Sequence, residues 1–340
     1  MNFWRSCIVD GARTRKLFWA RYVGPVFVCQ GAGIQTRNYS AHPSEESTGP
    51  GLHQRKKVTL PALRRKYKKQ IPITVITAHD YPSGMIADRA NVDIALVGDS
   101  LAMVALGYED TNLLTLDEML SHCRAVRRGN KSSFIVGDLP FSTYEISPSQ
   151  ALTTALRMVR EGRVEAVKLE GGREMSETIS KITRAGIPVM GHIGLTPQRQ
   201  TALGGFRVQG KTAEGAERLL EDAKALEQAG CFSMVIEAIP PLVAKYVTSQ
   251  LSIPTIGIGA GKDCSGQVLV QMDMLGMFDR FVPTFVRKYA NTFDLHVDAL
   301  SKYVNDVESR EFPTQEHVYK MPETEEAKLL EIMKQSGNSI

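Results

Sequence analysis

From residue 73 onward the chain alternates two kinds of segment. Short, largely apolar runs recur near 73–78, 94–98, 134–137, 166–170, 187–191, 233–237 and 254–258. Between them lie amphipathic helical patterns such as TLDEMLSHCRAVRRG, SPSQALTTALRMVREG, EMSETISKITRAG and GAERLLEDAKALEQAG. A strand apolar on both faces has to be buried on both faces, and an intervening helix lets successive strands lie parallel. Seven βα units, with an eighth strand expected at 280–286 ahead of RKYANTF, predict a closed (β/α)8 TIM barrel forming one domain. The competing order is a doubly wound sheet. Its dinucleotide fingerprint opens a helix after the first strand and places an acid about 20 residues on. Here the glycine-rich run GIGAG, Gly257–Gly261, comes at the seventh strand. It is expected to bring backbone close at the barrel mouth or to make a tight turn. Thr115 with Glu118, and Ser147 with Pro148 and Gln150, read as helix starts; Gly129, Gly162, Gly186 and Gly230 read as stops.

The formal charge of +4 is concentrated at one end. Residues 1–40 hold six of the 41 basic residues and one of the 37 acids, leaving 35 against 36 for the rest. The remainder therefore has no footprint for nucleic acid. The Arg-rich, acid-poor first 40 residues predict a mitochondrial transit peptide and a matrix location. Their apolar pieces, broken by Arg21, Gly24 and Pro25, are too short for membrane insertion. Residues 41–60 are expected as a linker, 61–312 as the barrel and 313–340 as a polar surface tail. Of five cysteines, Cys7 and Cys29 fall in the transit segment and the others show no paired spacing. That pattern suits reduced thiols and excludes a disulfide scaffold or a cysteine zinc site.

Several apolar runs end in a polar residue. Asp99 and Ser100 follow the second strand and Asp138 the third. Lys168 and Glu170 end the fourth, His192 the fifth and Glu237 the sixth. An aspartate after a strand is often a helix cap or turn residue. In a barrel, however, the C-terminal strand ends converge on one face, where active sites are built. Lys168 and Glu170, two apart, share a strand face. Asp99, Asp138 and Glu170 around one cavity would repel unless a cation compensates, and a hard divalent ion such as Mg²⁺ suits carboxylate oxygens. Glu237, flanked by apolar residues, is placed where desolvation favours a general base. His79 reads as structural or at the cavity rim, and Asp80 and Tyr81 as either lining or capping.

The segments ITAHDY, VGDSLAM, GDLPF, VKLEGG, GHIGLTPQ, GGFRVQGK, EAIP, IPTIGIGAG and FPTQEH, in this order from about Ile73 to His317, resemble the ketopantoate hydroxymethyltransferase family. The resemblance implies a (β/α)8 barrel that uses Mg²⁺. The implied reaction transfers a one-carbon unit from 5,10-methylenetetrahydrofolate to 3-methyl-2-oxobutanoate through a Mg²⁺-stabilised enolate, the first committed step toward pantothenate. It implies metal carboxylates at Asp99 and Asp138 with Glu170 in the same cluster. Substrate contacts are implied at Ser100, Asp99, Asp138 and Lys168 with His192 close by, the base at Glu237, and assembly as a large homo-oligomer. A Mg²⁺-dependent 2-oxo-acid lyase or mutase of the phosphoenolpyruvate mutase/isocitrate lyase kind is the nearest rival. Such enzymes usually need a reactive cysteine in a mobile loop, and no strand end here carries one. A non-catalytic barrel would keep the apolar strands without needing the acids together. The loop TPQRQTALGGFRVQGKT after the fifth strand is expected as a lid or an oligomer contact.

Overall fold

The computed structural model describes residues 55–278 and 282–336. The expected transit peptide and most of the linker lie outside them. Eight parallel strands close into a barrel in sequence order: β1 Ile73–Thr77, β2 Ile94–Val97, β3 Phe134–Asp138, β4 Ala166–Lys168, β5 Val189–Gly194, β6 Ser233–Glu237, β7 Thr255–Ile258 and β8 Gly266–Leu269. Pairing of β8 with β1, Ile73 opposite Gly266, completes the ring.

Strand parity explains the unbroken apolar runs. In β2, Ile94 and Leu96 enter the cluster that fills the barrel interior, while Val97 joins the cluster between strands and helices. In β3 the interior takes Phe134 and Val136, and Ile135 packs outward. The middle of these strands is thus apolar on both faces because both faces are covered. Helices Leu116–Gly129, Pro148–Arg160, Ser176–Arg184 and Ala213–Gln228 form where the amphipathic patterns predict them. The Thr115–Glu118 pair is a reciprocal capping box. Ser147 caps its helix through Gln150 N–H, while the Gln150 side chain reaches back to Ile146 N–H.

The eighth strand departs from expectation. It is Gly266–Leu269, and the described residues of 280–286 contain no strand. The alternation of strand and helix does not mark it, because β7 and β8 are joined by residues 259–265 with no helix. Residues 55–58 are attached to the barrel's N-terminal end: Arg55 pairs with Asp93, Lys57 with Glu165, and Val58 N–H donates to Ser132 O. Helices Thr292–Glu308 and Glu323–Gln335 bury none of their residues, and Leu295, Leu300 and Tyr303 stand exposed on the first. Among the described residues, no helix is long and apolar enough to cross a membrane.

Candidate active site

The inward-facing row of each strand, followed to its C-terminal end, changes from apolar to polar. In β3 the row Phe134, Val136 continues to Asp138. In β4, Ala166 continues to Lys168 and then Glu170; in β5, Met190 leads to His192; in β6, Val235 leads to Glu237. Because strand side chains alternate with period two, the residue after the last apolar inward position has to face the same space. All these polar residues, with Asp99 and Ser100 from the loop after β2, line one cavity of about 380 Å³. Its floor is made by Leu96, Val235, Ile258 and Val268. Every expected site residue is therefore present in one place.

Lys168 Nζ donates to Asp138 Oδ1 at 2.6 Å, and Asp99 N–H donates to Asp138 Oδ2 at 3.0 Å. Asp138 and Glu170 are 1% exposed and Lys168 4%. Burial pushes the Asp138 carboxyl up to about 7, with Lys168 opposing and Asp99 adding to the shift. Burial works against the Lys168 charge, but Asp138, Asp99 and Glu170 outweigh it and hold the ammonium above its ordinary range. Burial also raises Glu170. His192 stands between two acids, with Nε2 3.1 Å from Glu237 Oε2 and Nδ1 3.5 Å from Glu170 Oε1. These approaches are not aligned as hydrogen bonds, so Glu170 Oε1 and both ring nitrogens remain without one. Burial and the Lys168 charge disfavour protonating His192, but the two carboxylates prevail and raise it to about 9.

Glu237 is less enclosed than its apolar neighbours suggest. Its side chain keeps 15% exposure, and burial is deepest at Asp138 and Glu170 instead. Ala238, at φ 48°, turns the chain immediately after it. The loop after β5 is hooked to the same place: Leu195 N–H donates to Glu237 O, and Gln209 N–H to Ala238 O. Phe206 and Val208 of that loop line the cavity, as a lid would. Gly259, at φ +62°, leaves room where a Cβ would meet the Phe285 ring at 2.7 Å, so the GIGAG turn does bring an aromatic wall against backbone. Asp80 proves to be a cap, accepting from Ser83 N–H at 2.8 Å. The His79 carbonyl accepts from His122 Nδ1, and neither His79 nor Asp80 lines the cavity.

Gln198 was not singled out by sequence. It is 3% exposed, and its Nε2 donates to Asp99 Oδ2 at 2.8 Å and to Leu139 O at 3.0 Å. Its Oε1 accepts from the buried Tyr144 hydroxyl at 2.6 Å, and its N–H donates to Glu170 Oε2 at 3.1 Å. One loop residue thus fixes two of the acids. The only available signal was an uncharged glutamine within GHIGLTPQ, with no strand-end position to mark it.

Five carboxylates, Asp99, Asp138, Glu170, Glu237 and, on the cavity wall, Asp273, face one ammonium and one imidazole, and Glu170 Oε1 lacks a partner. That excess negative charge fits a divalent cation. Among the described residues, no three His, Cys, Asp or Glu side chains converge as a ready cage. Zinc would need such a cage, whereas Mg²⁺ binds through one or two carboxylates and keeps waters or substrate oxygens.

Residues 57–315 match the family model of ketopantoate hydroxymethyltransferase. The chain is 57% identical over 287 residues to a 3-methyl-2-oxobutanoate hydroxymethyltransferase of Emericella nidulans, covering 84% of this chain and 82% of the relative. It is 50% identical over 291 residues to the rice protein named 3-methyl-2-oxobutanoate hydroxymethyltransferase 2, mitochondrial, covering 84% and 73%. Among solved structures, phosphonopyruvate hydrolase in complex with oxalate and Mg²⁺ shares the fold at a TM-score of 0.52 and 14% identity, covering 81% of this chain and 96% of that one. With the family match over most of its length and a cavity built from the matched strand ends, the chain belongs to the ketopantoate hydroxymethyltransferase family.

Proposed function

We propose that the chain transfers a hydroxymethyl group from 5,10-methylenetetrahydrofolate to 3-methyl-2-oxobutanoate, giving 2-dehydropantoate. The observation that carries this reading is the convergence of Asp99, Asp138, Lys168, Glu170, His192 and Glu237 in one cavity over an apolar floor. Asp99 and Asp138, with Glu170 beside them, would hold Mg²⁺, and Lys168 and Ser100 the substrate's remaining oxygens. Mg²⁺, when bound, withdraws electron density from the 2-oxo acid and so acidifies its C3–H. Glu237 takes the C3 proton, and His192 beside it holds that carboxylate in place. Leu96, Val235, Ile258 and Val268 pack around the branched alkyl end and keep water from it. The carbon nucleophile so formed bonds to the donor's methylene carbon. Both C–N bonds of that carbon break, water supplies the hydroxyl oxygen, and the C3 proton and a water proton go to the two folate nitrogens as tetrahydrofolate leaves.

The lyase or mutase reading has less support. At 14% identity the likeness to phosphonopyruvate hydrolase concerns the fold, and no cysteine lines the cavity among the described residues. Cys123 and Cys231 are buried in the outer core, where burial pushes the Cys231 thiol up to about 12. A turnover assay with 3-methyl-2-oxobutanoate, with and without methylenetetrahydrofolate and Mg²⁺, tests the proposal. Product formation that needs all three supports it, and turnover indifferent to the folate refutes it.

Two further readings belong to the proposal. A matrix location rests on the composition of residues 1–40, which contain both tryptophans, Trp4 and Trp19. Mature protein from mitochondria should then show tyrosine emission alone. Homo-oligomerisation is supported by the exposed apolar side chains of helix Thr292–Glu308, and sedimentation analysis tests it.

A further inference from the structure

One ionised group in the cavity has no part in the chemistry above. Asp273 lines the cavity wall at 7% exposure, yet its side chain has no hydrogen bond or ion pair with any described residue. Burial pushes its carboxyl up to about 6, with the Lys288 charge opposing, so at neutral pH it is mostly a bare carboxylate. A buried polar group without a partner calls for an explanation.

Its backbone is held firmly. Gln271, which opens the short helix Gln271–Met274, donates its backbone N–H to Thr77 Oγ1 at 3.0 Å and its Nε2 to Ser83 O at 3.3 Å. Met274 O and Leu275 O accept from Tyr289 and Thr292 N–H. The carboxylate is therefore presented by a fixed element, and Phe206, Phe278 and Phe285 supply aromatic walls in the same cavity.

A carboxylate among aromatic walls matches a flat ring that carries two adjacent N–H donors, because two parallel charge-assisted bonds satisfy both oxygens at once. The 2-oxo acid has no such edge. The reduced pterin ring of a folate does, in its N3–H and 2-amino groups. We propose that Asp273 accepts these two donors and so fixes the one-carbon donor in the cavity, with the aromatic walls packed on the ring faces. The inference rests on the folate-dependent reading above and adds a contact that reading does not contain.

The test uses tetrahydrofolate, which carries no transferable carbon, and its 2-desamino analogue, each titrated calorimetrically onto the full-length protein with Mg²⁺. A site built on a hydrogen bond discriminates strongly against a partner that lacks it. Wild type should bind tetrahydrofolate about 100-fold more tightly than the analogue. Asp273→Asn, which places an N–H₂ against the ring's donors, should bind both ligands weakly and tell them apart by less than about threefold. Deuterium exchange at C3 of 3-methyl-2-oxobutanoate reports on the other half of the site, and transfer should fall about 100-fold relative to exchange in the variant. Equal discrimination in wild type and variant overturns the Asp273 contact while leaving folate as donor. Wild type that exchanges C3–H yet binds no tetrahydrofolate overturns the folate reading and the contact with it. If Asp273→Asn does not fold, equal binding of the two ligands by wild type still overturns the proposal.

Discussion

Asp93 leads into β2 at the N-terminal end of the barrel, and Asp99 leaves the same strand at the other end. Asp93 accepts from Thr74 N–H and Oγ1 at 2.9 Å each and pairs with Arg55 and Lys66. Burial opposes its charge, but Lys66 and Thr74 outweigh that and hold its carboxyl below the usual range. Nearby, Glu165 accepts from Ile135 N–H and Lys57, and Asp88 from Ser132 N–H and Oγ. At the opposite end, Asp99, Asp138, Glu170 and Glu237 share Lys168 and His192, and burial raises Asp138 and Glu170. The same residue types thus stabilise one end of the barrel and strain the other. Acids with matched partners hold the strands together, whereas the acids crowded beyond their partners are those to which the proposed function assigns a cation and a substrate.

The comparison breaks first if the crowded acids can be removed without cost to activity. Asp99→Asn should lower transfer on the order of 10³-fold, at the upper end of what one electrostatic contact supplies. The unfolding free energy of the metal-free protein, from urea titration, should stay within about 1 kcal/mol of wild type. Near-normal transfer would mean that Asp99 is merely a loop residue.

Gln198→Ala is the next largest change. It strips the donor from Asp99 Oδ2 and the acceptor from Tyr144 while leaving the acids themselves. Groups that orient metal ligands typically contribute about 10–100-fold, so transfer and Mg²⁺ affinity should both fall within that range. Calorimetric Mg²⁺ binding like that of wild type would show that Gln198 only packs.

At the matched end the effect should reverse. Asp93→Ala should cost about 2–3 kcal/mol of stability, because two cations and two Thr74 donors lose their acceptor. The kcat of the folded variant should remain within about twofold, measured below its unfolding temperature.

The smallest effect is a slope with pH in the metal-free protein. Asp138 titrates near 7 when folded and close to 3.9 when unfolded, so the folded state holds a proton that the unfolded state has lost. Its contribution therefore declines as pH rises from about 4 to about 7. Asp93, with a lowered folded pKa, contributes above about 3.9 and loses that contribution as pH falls further. Urea titrations at several pH values should show a shallower decline between pH 4 and 7 in Asp138→Asn than in wild type.

Much of this was legible from periodicity. Unbroken apolar runs required burial on both strand faces, convergence of the C-terminal strand ends carried Asp138, His192 and Glu237 to the barrel mouth, and period two put Lys168 and Glu170 on one face. Where no period exists, nothing was legible. Strand β8 escaped because residues 259–265 cross from β7 without a helix. Gln198 and Asp273 escaped because they sit in a three-residue 3₁₀ helix and a four-residue helix, too short for spacing to carry an orientation. The depth of burial was also misjudged at Glu237, since apolar neighbours along a strand point away from the space its carboxylate enters.

The most direct measurement follows the C3 hydrogen of 3-methyl-2-oxobutanoate by NMR in deuterated water, with Mg²⁺ and no folate. The wild type should exchange it, because proton removal needs only the acid cluster, the cation and Glu237. Glu237→Gln keeps the shape but accepts no proton, and exchange should fall by about 10²–10⁴-fold, the usual contribution of a positioned base. Excess Mg²⁺ should partly restore exchange in Asp99→Asn but not in Glu237→Gln. Undiminished exchange in Glu237→Gln would contradict the account and move the base to His192, 3.1 Å away.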